Sequence, residues 1–316
     1  MEEKKRNLNE TTGSQVTEFI LMGITNHPEL QGPLFVIFFL NYMAIVVGNM
    51  GLIILTGVDS HLKTPMYFFL RHLAFVDLGY STAIGPKMLI GFIEEKNIIS
   101  YHGCAIQLVF YVLFIASELF ILSAMAYDRY VAICKPLYYM VIMSDMICWL
   151  LMAVSYLYSI IVSLVITIKL FKLSFCKSNV IRHFYCDCAP LLSITSSDTS
   201  EIEVIIMIFA AFNFVSSLLI ILVSYMLILV AILRLNSSKG RHKAFSTFGS
   251  HLTGVVIFYG TLLFIYLQPP SSHSFDADKV ASVFYTLVIP MLNPLIYSLR
   301  NKEVKVALRR LLKKIM

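Results

Sequence analysis

Three oxygen-bearing side chains lie deep inside long apolar stretches of the sequence, where polar groups are costly and usually functional. They are Asn49, Asp77 and Glu118. If these stretches cross a membrane side by side, the three side chains fall at similar depth and can converge. Carboxylate and amide oxygens are the ligands that hard cations prefer, so a cation such as Na+ or a water cluster is one interpretation. The other interpretation is a hydrogen-bonded packing network without an ion.

A second set of chemically active residues is Asp128-Arg129-Tyr130, at the end of another apolar stretch. An arginine beside a carboxylate at a membrane boundary can exchange an internal ion pair for a partner's backbone or carboxylate. A two-state switch requires such an exchange. A static salt bridge at the boundary is the alternative for an isolated pair.

The sequence contains six cysteines, of which four fall on one predicted side of the membrane: Cys104, Cys176, Cys186 and Cys188. Four oxidisable thiols allow two disulfides in three connectivities, and free buried thiols are the alternative. No pair of His or Cys follows at zinc-finger spacing, so no firm metal site is predicted. Asn9-Glu10-Thr11 is an N-glycosylation acceptor if the N-terminus enters the secretory lumen.

The elements that position these residues are predicted from composition. Of the 316 residues, 58% are hydrophobic and 14% charged, against about 45–50% and about 25% in soluble domains. So apolar a chain cannot fold as a soluble enzyme, and lipid must be the solvent for most of it. The net charge of +6 therefore does not indicate nucleic acid as a partner, because in a membrane protein basic residues set orientation.

Seven apolar runs are long enough to cross a hydrocarbon core of about 30 Å. They are residues 33–57, 66–90, 103–127, 146–168, 203–233, 247–267 and 280–299. Runs such as 202–208 show no alternation of polar and apolar residues, which excludes barrel strands. We therefore predict an all-α membrane protein, a seven-transmembrane helix bundle. Its parts are an N-terminal segment 1–32, a transmembrane domain 33–299 and a tail 300–316.

Charge sets the predicted orientation. The connections after spans one, three and five, with the tail, carry 14 basic and four acidic residues, a net charge of +10, whereas the other face has a net charge of −3. The positive-inside rule places the first face in the cytosol, the N-terminus outside and the C-terminus inside. In the tail, Val304, Leu308, Leu311 and Leu312 share one face, which predicts a short amphipathic helix on the inner leaflet.

Several motifs together resemble one family. They are Asn49 in the first span, PMYFFL at 65–70, MAYDRYVAICKPLYY at 125–139, Ser224-Tyr225, KAFSTFGSHL at 243–252 and PMLNPLIYSLRNKEV at 290–304. The chain resembles the odorant (olfactory) receptors, a branch of the rhodopsin-like (class A) G-protein-coupled receptors. The resemblance covers all seven spans and the tail, and it implies a non-enzymatic receptor at the plasma membrane.

The resemblance assigns an activation switch and a G-protein contact at the cytosolic end. The residues that it implies are Asp128, Arg129, Tyr130, Tyr225, Lys243, Asn293, Pro294 and Tyr297. Pro294 removes a helical hydrogen bond, and Asn293 and Tyr297 are predicted to bond to the groups that it frees. The implied signal is activation of a stimulatory G protein that raises cyclic AMP.

The resemblance also implies a ligand pocket in the outer halves of spans three, five, six and seven. The residues are Tyr111, Val112, Ile115, Phe209, Asn213, Tyr259, Leu262, Tyr266 and Thr286. An apolar pocket with a few hydroxyl and amide groups suits small molecules. Tyr111 stands where amine receptors carry Asp, so small, mostly neutral volatile organic molecules are the expected ligands.

The loop 169–200 is expected to cover this pocket, with Cys186 bonded to Cys104 as in related receptors. A cysteine that the family carries near the end of the loop is replaced by Ser196, while Cys188 appears earlier. A second bond, Cys176–Cys188, is therefore a conjecture.

Two alternative functions remain open: a rhodopsin-like receptor for another small hydrophobic ligand, and a membrane transporter. A transporter would show inverted repeats and paired Gly/Pro-broken spans, and the sequence shows no internal repeat.

Overall fold

The long apolar stretches form the helices of a bundle. A computed structural model of the protein describes residues 16–25, 27–176, 178–234, 249, 252, 254–263, 275–296 and 302–315. Its main helices are α1 (Pro28–Val58), α2 (Pro65–Ile90), α3 (Tyr101–Cys134), α4 (Asp145–Leu170), α5 (Ser200–Leu233), α6 (Gly254–Leu263), α7 (Phe275–Val283, the π-helical turn Phe284–Val288 and Ile289–Pro294) and α8 (Lys302–Ile315). Within the described ranges, each of the seven predicted spans thus coincides with a helix.

Helix α3 is the central element of the bundle. It packs against α2, α4 and α5, while α1 packs against α2 and α7. In the most apolar window of α3, 67% of the residues are buried, against 17% in α1, 39% in α4 and 33% in α5. These four helices are long and apolar enough to cross a membrane. Their exposed faces carry large apolar side chains such as Val47, Trp149 and Leu219, as expected for contact with lipid.

A three-stranded sheet covers one end of the bundle, which we call the sheet end. Strand β1 (Glu18–Leu21) pairs antiparallel with β2 (Asn97–Ser100) and parallel with β3 (Val180–Ile181). Phe19 and Leu21 alternate inward and are buried. The sequence does not predict this sheet, which is an addition to the predicted helical bundle.

Helix α8 lies at the opposite end of the bundle, the α8 end. Val304 and Ala307 on one face are buried, Leu311 is half-buried, and Leu308 is exposed. The predicted amphipathic helix is thus present, with part of its apolar stripe against the bundle. Tyr67 donates a 2.8 Å hydrogen bond to Glu303, which joins α8 to α2.

The loop between α1 and α2 gives α8 a second attachment. An Arg310 guanidinium nitrogen lies 3.7 Å from an Asp59 carboxylate oxygen. A hydrogen bond from the His61 backbone amide, 2.8 Å long, lowers the pKa of Asp59. The carboxylate therefore stays charged and available to Arg310 at neutral pH.

Candidate functional site

Two carboxylates and an amide meet in the interior of the bundle. Asp77 of α2 and Glu118 of α3 are fully buried, and Asn293 of α7 is 4% exposed. The Asn293 side-chain nitrogen lies 3.2 Å and 2.9 Å from the two Asp77 carboxylate oxygens. Glu118 interacts with Tyr80 and Asn293, but neither of its oxygens completes a hydrogen bond of good geometry. The cluster therefore offers oxygen atoms with unused acceptor capacity.

Asn49 forms hydrogen bonds within the bundle, as the packing-network interpretation predicts, but its partners are backbone carbonyls. Its side-chain nitrogen donates 3.0 Å hydrogen bonds to the carbonyls of Ile45 and Pro290. Pro294 has no N–H, so the carbonyl of Pro290, four residues earlier, lacks its helical donor. Asn49 supplies that donor from α1, whereas Asn293 bonds to Asp77. The prediction that Asn293 bonds to the group freed by the proline is therefore wrong.

A network of hydroxyl groups joins α3, α7 and the loop between α4 and α5. The hydroxyls of Tyr185 and Tyr285 are 2.6 Å apart, and Tyr111 donates to Tyr285 over 3.3 Å. Tyr285 donates to Ser282, which also lies 3.2 Å from a ring nitrogen of His183. All five residues are buried. The network closes the sheet end of the space between α3 and α7.

A disulfide positions this loop. Cys104 and Cys186 are bonded, as the resemblance implies. The backbone amide of Cys186 also donates a 2.9 Å hydrogen bond to Gln107 of α3. These links place Tyr185, the preceding residue, over Tyr111, with ring centroids 5.2 Å apart.

The conjectured second disulfide is absent, because Cys176 and Cys188 are both free thiols. Cys176 is exposed, whereas Cys188 lies at the start of the short helix Cys188–Ser193 and packs against the core. The two thiols therefore face different surroundings. The place of the missing family cysteine is also filled, since Ser196 donates from its backbone and its hydroxyl to the Ser174 carbonyl.

The predicted ligand residues that the structure describes lie on four neighbouring helices. Tyr111, Val112, Asn213, Tyr259, Leu262 and Thr286 are buried, while Ile115 and Phe209 are half-buried against the core. Tyr266 lies outside the described residues. Thr286 donates its hydroxyl to the Ser282 carbonyl of its own helix, so it offers an acceptor rather than a donor.

Two of these residues have polar atoms without a hydrogen-bond partner. They are the Asn213 side-chain oxygen on α5 and the Tyr259 hydroxyl on α6. The Tyr259 hydroxyl lies near Ser123 and Ser217, yet no bond of good geometry forms. Buried polar atoms are normally satisfied, so such atoms call for a partner. A ligand with a hydroxyl, carbonyl or ether group can provide it.

At the α8 end, the Asp128 carboxylate accepts a 2.8 Å hydrogen bond from Tyr139 in the turn Tyr139–Ile142. Arg129 is half-buried and its Nε has no partner. Within the described chain, no ion pair joins Asp128 to Arg129, so the expected pair is replaced by the tyrosine bond. Tyr130 lies under the Lys135 ammonium at 5.9 Å, and Tyr225 of α5 is buried. Lys243 and Tyr297 lie outside the described residues.

Comparison with known proteins decides the family. The family model described as olfactory receptor matches residues 38–314. Human olfactory receptor 8K1 is 67% identical over 304 residues, which cover 96% of this chain and 95% of that protein. Human olfactory receptor 8K3 is 68% identical over 295 residues, covering 93% and 94%. Mouse olfactory receptor 8U3 is 58% identical over 301 residues, covering 95% and 94%.

The chain belongs to the olfactory receptor family. It is therefore a multi-pass membrane receptor and not an enzyme, and family membership selects the odorant receptor over the transporter alternative. The helical bundle and the Cys104–Cys186 bond agree with this assignment.

In this olfactory receptor, sequence reasoning missed four members of the hydroxyl network: His183, Tyr185, Ser282 and Tyr285. Tyr285 lies in the π-helical turn, which shifts the faces of α7 relative to a regular helix. The hydroxyl of a buried tyrosine usually has a hydrogen-bond partner, so Tyr285 in an apolar span could have been expected to take part in such a network. The network also meets the polar cluster, since Tyr80 donates a 2.7 Å bond to the Tyr285 carbonyl.

Proposed function

We propose that this olfactory receptor binds small, mostly neutral volatile organic molecules among α3, α5, α6 and α7. The observation that carries the proposal is the pair of buried polar atoms without a hydrogen-bond partner, Asn213 Oδ1 and Tyr259 Oη. A neutral ligand with one polar group satisfies such a site without bringing a charge into the bundle. Asn213 accepts a hydrogen bond, and Tyr259 can donate or accept one.

Discrimination against ammonium ligands follows from Tyr111. Its hydroxyl donates to Tyr285 within a neutral network, and the nearby carboxylate of Asp187 lies in the loop, 3.5 Å from the Tyr185 hydroxyl. An ammonium ion bound beside Tyr111 would lose its hydration, and the side chain at this position of α3 gives it no counter-ion.

The signalling step uses the α8 end, which the positive-inside rule predicts to be cytosolic. An odorant that binds the active arrangement more tightly shifts the population toward it and opens a cleft for a stimulatory G protein. Arg129 supports this role, because it is half-buried and, within the described residues, forms no ion pair with Asp128 that a partner would first have to break. Lys243 and Tyr297 take part by resemblance. The transduced signal is a rise in cyclic AMP.

The same orientation applies to the termini and the plasma membrane. Residues 1–32 lie outside the cell with glycosylation at Asn9, residues 33–299 form the transmembrane domain, and residues 300–316 lie in the cytosol. Basic residues on α8, such as Lys305 and Arg309, are exposed and suited to anionic lipid.

A cation would fit the polar cluster of the bundle. Asp77 and Glu118 would hold it, because their four carboxylate oxygens accept only two bonds of good geometry, both from Asn293. Na+ binding there would neutralise part of the buried negative charge. Asn49 is less suited, since its nitrogen is committed to the Pro290 carbonyl, although its oxygen is free.

A screen of chemically diverse odorants in transfected cells tests this function. We expect at least one neutral volatile compound to raise cyclic AMP in a concentration-dependent way, and Arg129→Ala to abolish the response at near-normal surface expression. A full response of the Arg129→Ala receptor would overturn the coupling scheme. Responses confined to ammonium compounds would overturn the ligand class.

A further inference from the structure

A pocket of about 220 Å³ lies at the α8 end, far from the proposed odorant site. It lies between the start of α2, the start of α4 and the loop that joins α1 to α2. Its wall includes Lys63, Thr64, Phe68, Arg71, Asp145 and Trp149. None of these residues belongs to the odorant site or the activation switch described above.

Arg71 is the charged centre of the pocket. It lies in the second turn of α2, and its side chain slants toward the start of that helix, as helical side chains do. Its guanidinium donates to the hydroxyl and carbonyl of Thr56 in the last turn of α1. This capping bond uses Nε and Nη2. Within the described chain, Nη1 has no hydrogen-bond partner and is not buried, so it can bind a further acceptor.

The pocket has an excess of positive charge. Lys63 is exposed and adds a second cation on the rim, against the one carboxylate of Asp145. Helix α2 begins at Pro65 without a side-chain cap at Thr64, so the positive end of its dipole also faces the pocket. A phosphate group matches this combination of a planar arginine, a lysine and a helix start.

The wall toward the bilayer is aromatic. The Trp149 ring lies 4.8 Å from that of Phe68 and 5.8 Å from that of His72. Trp149 is 60% exposed, and its neighbours Met146 and Leu150 on α4 are exposed as well. A tryptophan with an apolar, lipid-facing surround at a helix end is typical of the membrane–water boundary. The pocket is therefore open to lipid on one side and basic on the other.

We propose that this pocket binds the phosphate headgroup of an anionic phospholipid from the cytosolic leaflet. The phosphate accepts hydrogen bonds from Arg71 Nη1 and contacts Lys63, while the acyl chains lie along Trp149 and the exposed face of α4. Basic pockets between transmembrane helices on the cytosolic side suit such headgroups. The cytosolic placement rests on the orientation proposed above. The occupant would bridge α1, α2 and α4 and stabilise their packing.

The chain offers a direct probe, because Trp149 is the single tryptophan among its 316 residues. Bromine atoms on a lipid quench tryptophan fluorescence on contact. The full-length receptor is reconstituted in phosphatidylcholine vesicles that contain a rising fraction of brominated phosphatidylserine, or the same fraction of brominated phosphatidylcholine. We expect brominated phosphatidylserine to reach half-maximal quenching of Trp149 at a lower membrane fraction than brominated phosphatidylcholine. Each basic residue that contacts the headgroup should lower that fraction by about fivefold.

Variants separate this site from general surface charge. Lys63→Gln and Arg71→Gln together should reduce the preference for the anionic lipid to about onefold, whereas Arg71→Lys should keep most of it. Lys305→Gln removes an exposed charge from α8 and should leave the preference unchanged. Lys63→Gln alone changes only an exposed side chain, so a reduced preference in that variant cannot come from loss of folding.

Two outcomes would overturn the proposal: equal quenching by both brominated lipids, or an equal loss of preference in Lys305→Gln and the pocket variants. Excess soluble glycerol phosphate should relieve the anionic-lipid quenching, since it competes for the headgroup site, whereas quenching by brominated phosphatidylcholine should not change. Odorant responses of the pocket variants, measured in parallel, report separately on the proposed function.

Discussion

The Tyr139 hydroxyl donates a 2.8 Å hydrogen bond to the Asp128 carboxylate, which is fully buried. This bond joins the end of α3 to the loop before α4. It also gives Asp128 a neutral partner in place of Arg129, whose Nε remains without one. In the proposed mechanism, Arg129 is therefore free to bind a G protein without first breaking a strong internal ion pair.

Tyr139→Phe should destabilise the receptor, because it leaves the buried Asp128 carboxylate without its donor, at a cost of about 1–3 kcal/mol. A thermal midpoint measured on purified receptor should fall by about 2–4 °C per kcal/mol. The matched control is Tyr138→Phe, since Tyr138 is 65% exposed. Equal midpoints for the two variants would show that the Tyr139 bond contributes nothing.

The effect of Tyr139→Phe should not depend on pH near neutrality. Burial and the neighbouring Asp128 carboxylate raise the pKa of Tyr139 above its ordinary value. Because the pKa is raised in the folded protein, the stabilisation by the Tyr139 hydroxyl is fully present below the pKa of tyrosine in the unfolded chain, about 10. It is lost only at higher pH. Burial also raises the pKa of the acceptor, Asp128, so the comparison belongs on the alkaline side of neutrality. The difference in midpoint between wild type and variant should therefore be the same at about pH 7.5 and about pH 9. A difference that shrinks across this range would contradict the assignment.

His183 should make the receptor sensitive to acid. Burial and, second, the Lys279 ammonium lower its pKa from 6.5 to about 3. Below about pH 6.5 the unfolded chain binds a proton at His183, whereas the folded protein does not bind it until about pH 3. The free energy of unfolding therefore decreases as the pH falls from about 6.5 toward 3. At about pH 5 the loss is about 2 kcal/mol. The thermal midpoint of His183→Gln should fall less between neutral pH and pH 5, whereas that of His102→Gln, at an exposed site, should follow the wild type.

The free thiols should differ in reactivity. Cys176 is exposed, whereas burial raises the pKa of the Cys188 thiol and suppresses the reactive thiolate. Brief alkylation of the native receptor followed by non-reducing peptide mapping should label Cys176 first and Cys188 only after unfolding. Recovery of a peptide that links Cys176 to Cys188 would reinstate the conjectured second disulfide.

Sodium should stabilise the receptor through Asp77 and Glu118. At a sodium concentration ten times the Kd of the site, binding would add about 1.4 kcal/mol to the free energy of unfolding. The thermal midpoint should therefore be higher in sodium chloride than in choline chloride. Glu118→Gln should remove this difference, and Glu94→Gln, which changes an exposed carboxylate, should retain it. A sodium effect that persists in Glu118→Gln would place the ion elsewhere.

The sequence predicts the helices well and their polar ends less well. The second span is predicted at 66–90 and observed at Pro65–Ile90, because Pro65 marks a helix start. The seventh is predicted from residue 280, but its described part already includes Phe275–Val283, since Asp276, Asp278 and Lys279 interrupt the apolar pattern without interrupting the helix. Strand β1 is only four residues long, and its partners are distant in sequence, so pairing could not be predicted from local pattern.

The candidate site was predictable in its residue types but not in its pairing. The similar depth of Asp77 and Glu118 in their spans predicts that they lie close together. The rotation of each helix about its axis, which the sequence does not specify, places Asn293 beside Asp77 and directs Asn49 to the Pro290 carbonyl. The role of Asn49 depends on a proline in α7, more than 240 positions later in the chain. Such pairs follow from the packing of whole helices, which no local spacing encodes.

In the proposed mechanism, an odorant within the bundle drives activation of a stimulatory G protein through Arg129. Nucleotide exchange by the purified G protein, catalysed by the purified receptor in nanodiscs, tests it most directly. An odorant that is active in cells should accelerate exchange, Asn213→Leu should raise the odorant concentration required, and Arg129→Ala should remove the acceleration. Unchanged acceleration in Arg129→Ala would exclude a role for Arg129 in coupling, and no acceleration by the wild-type receptor would exclude the proposed signalling function.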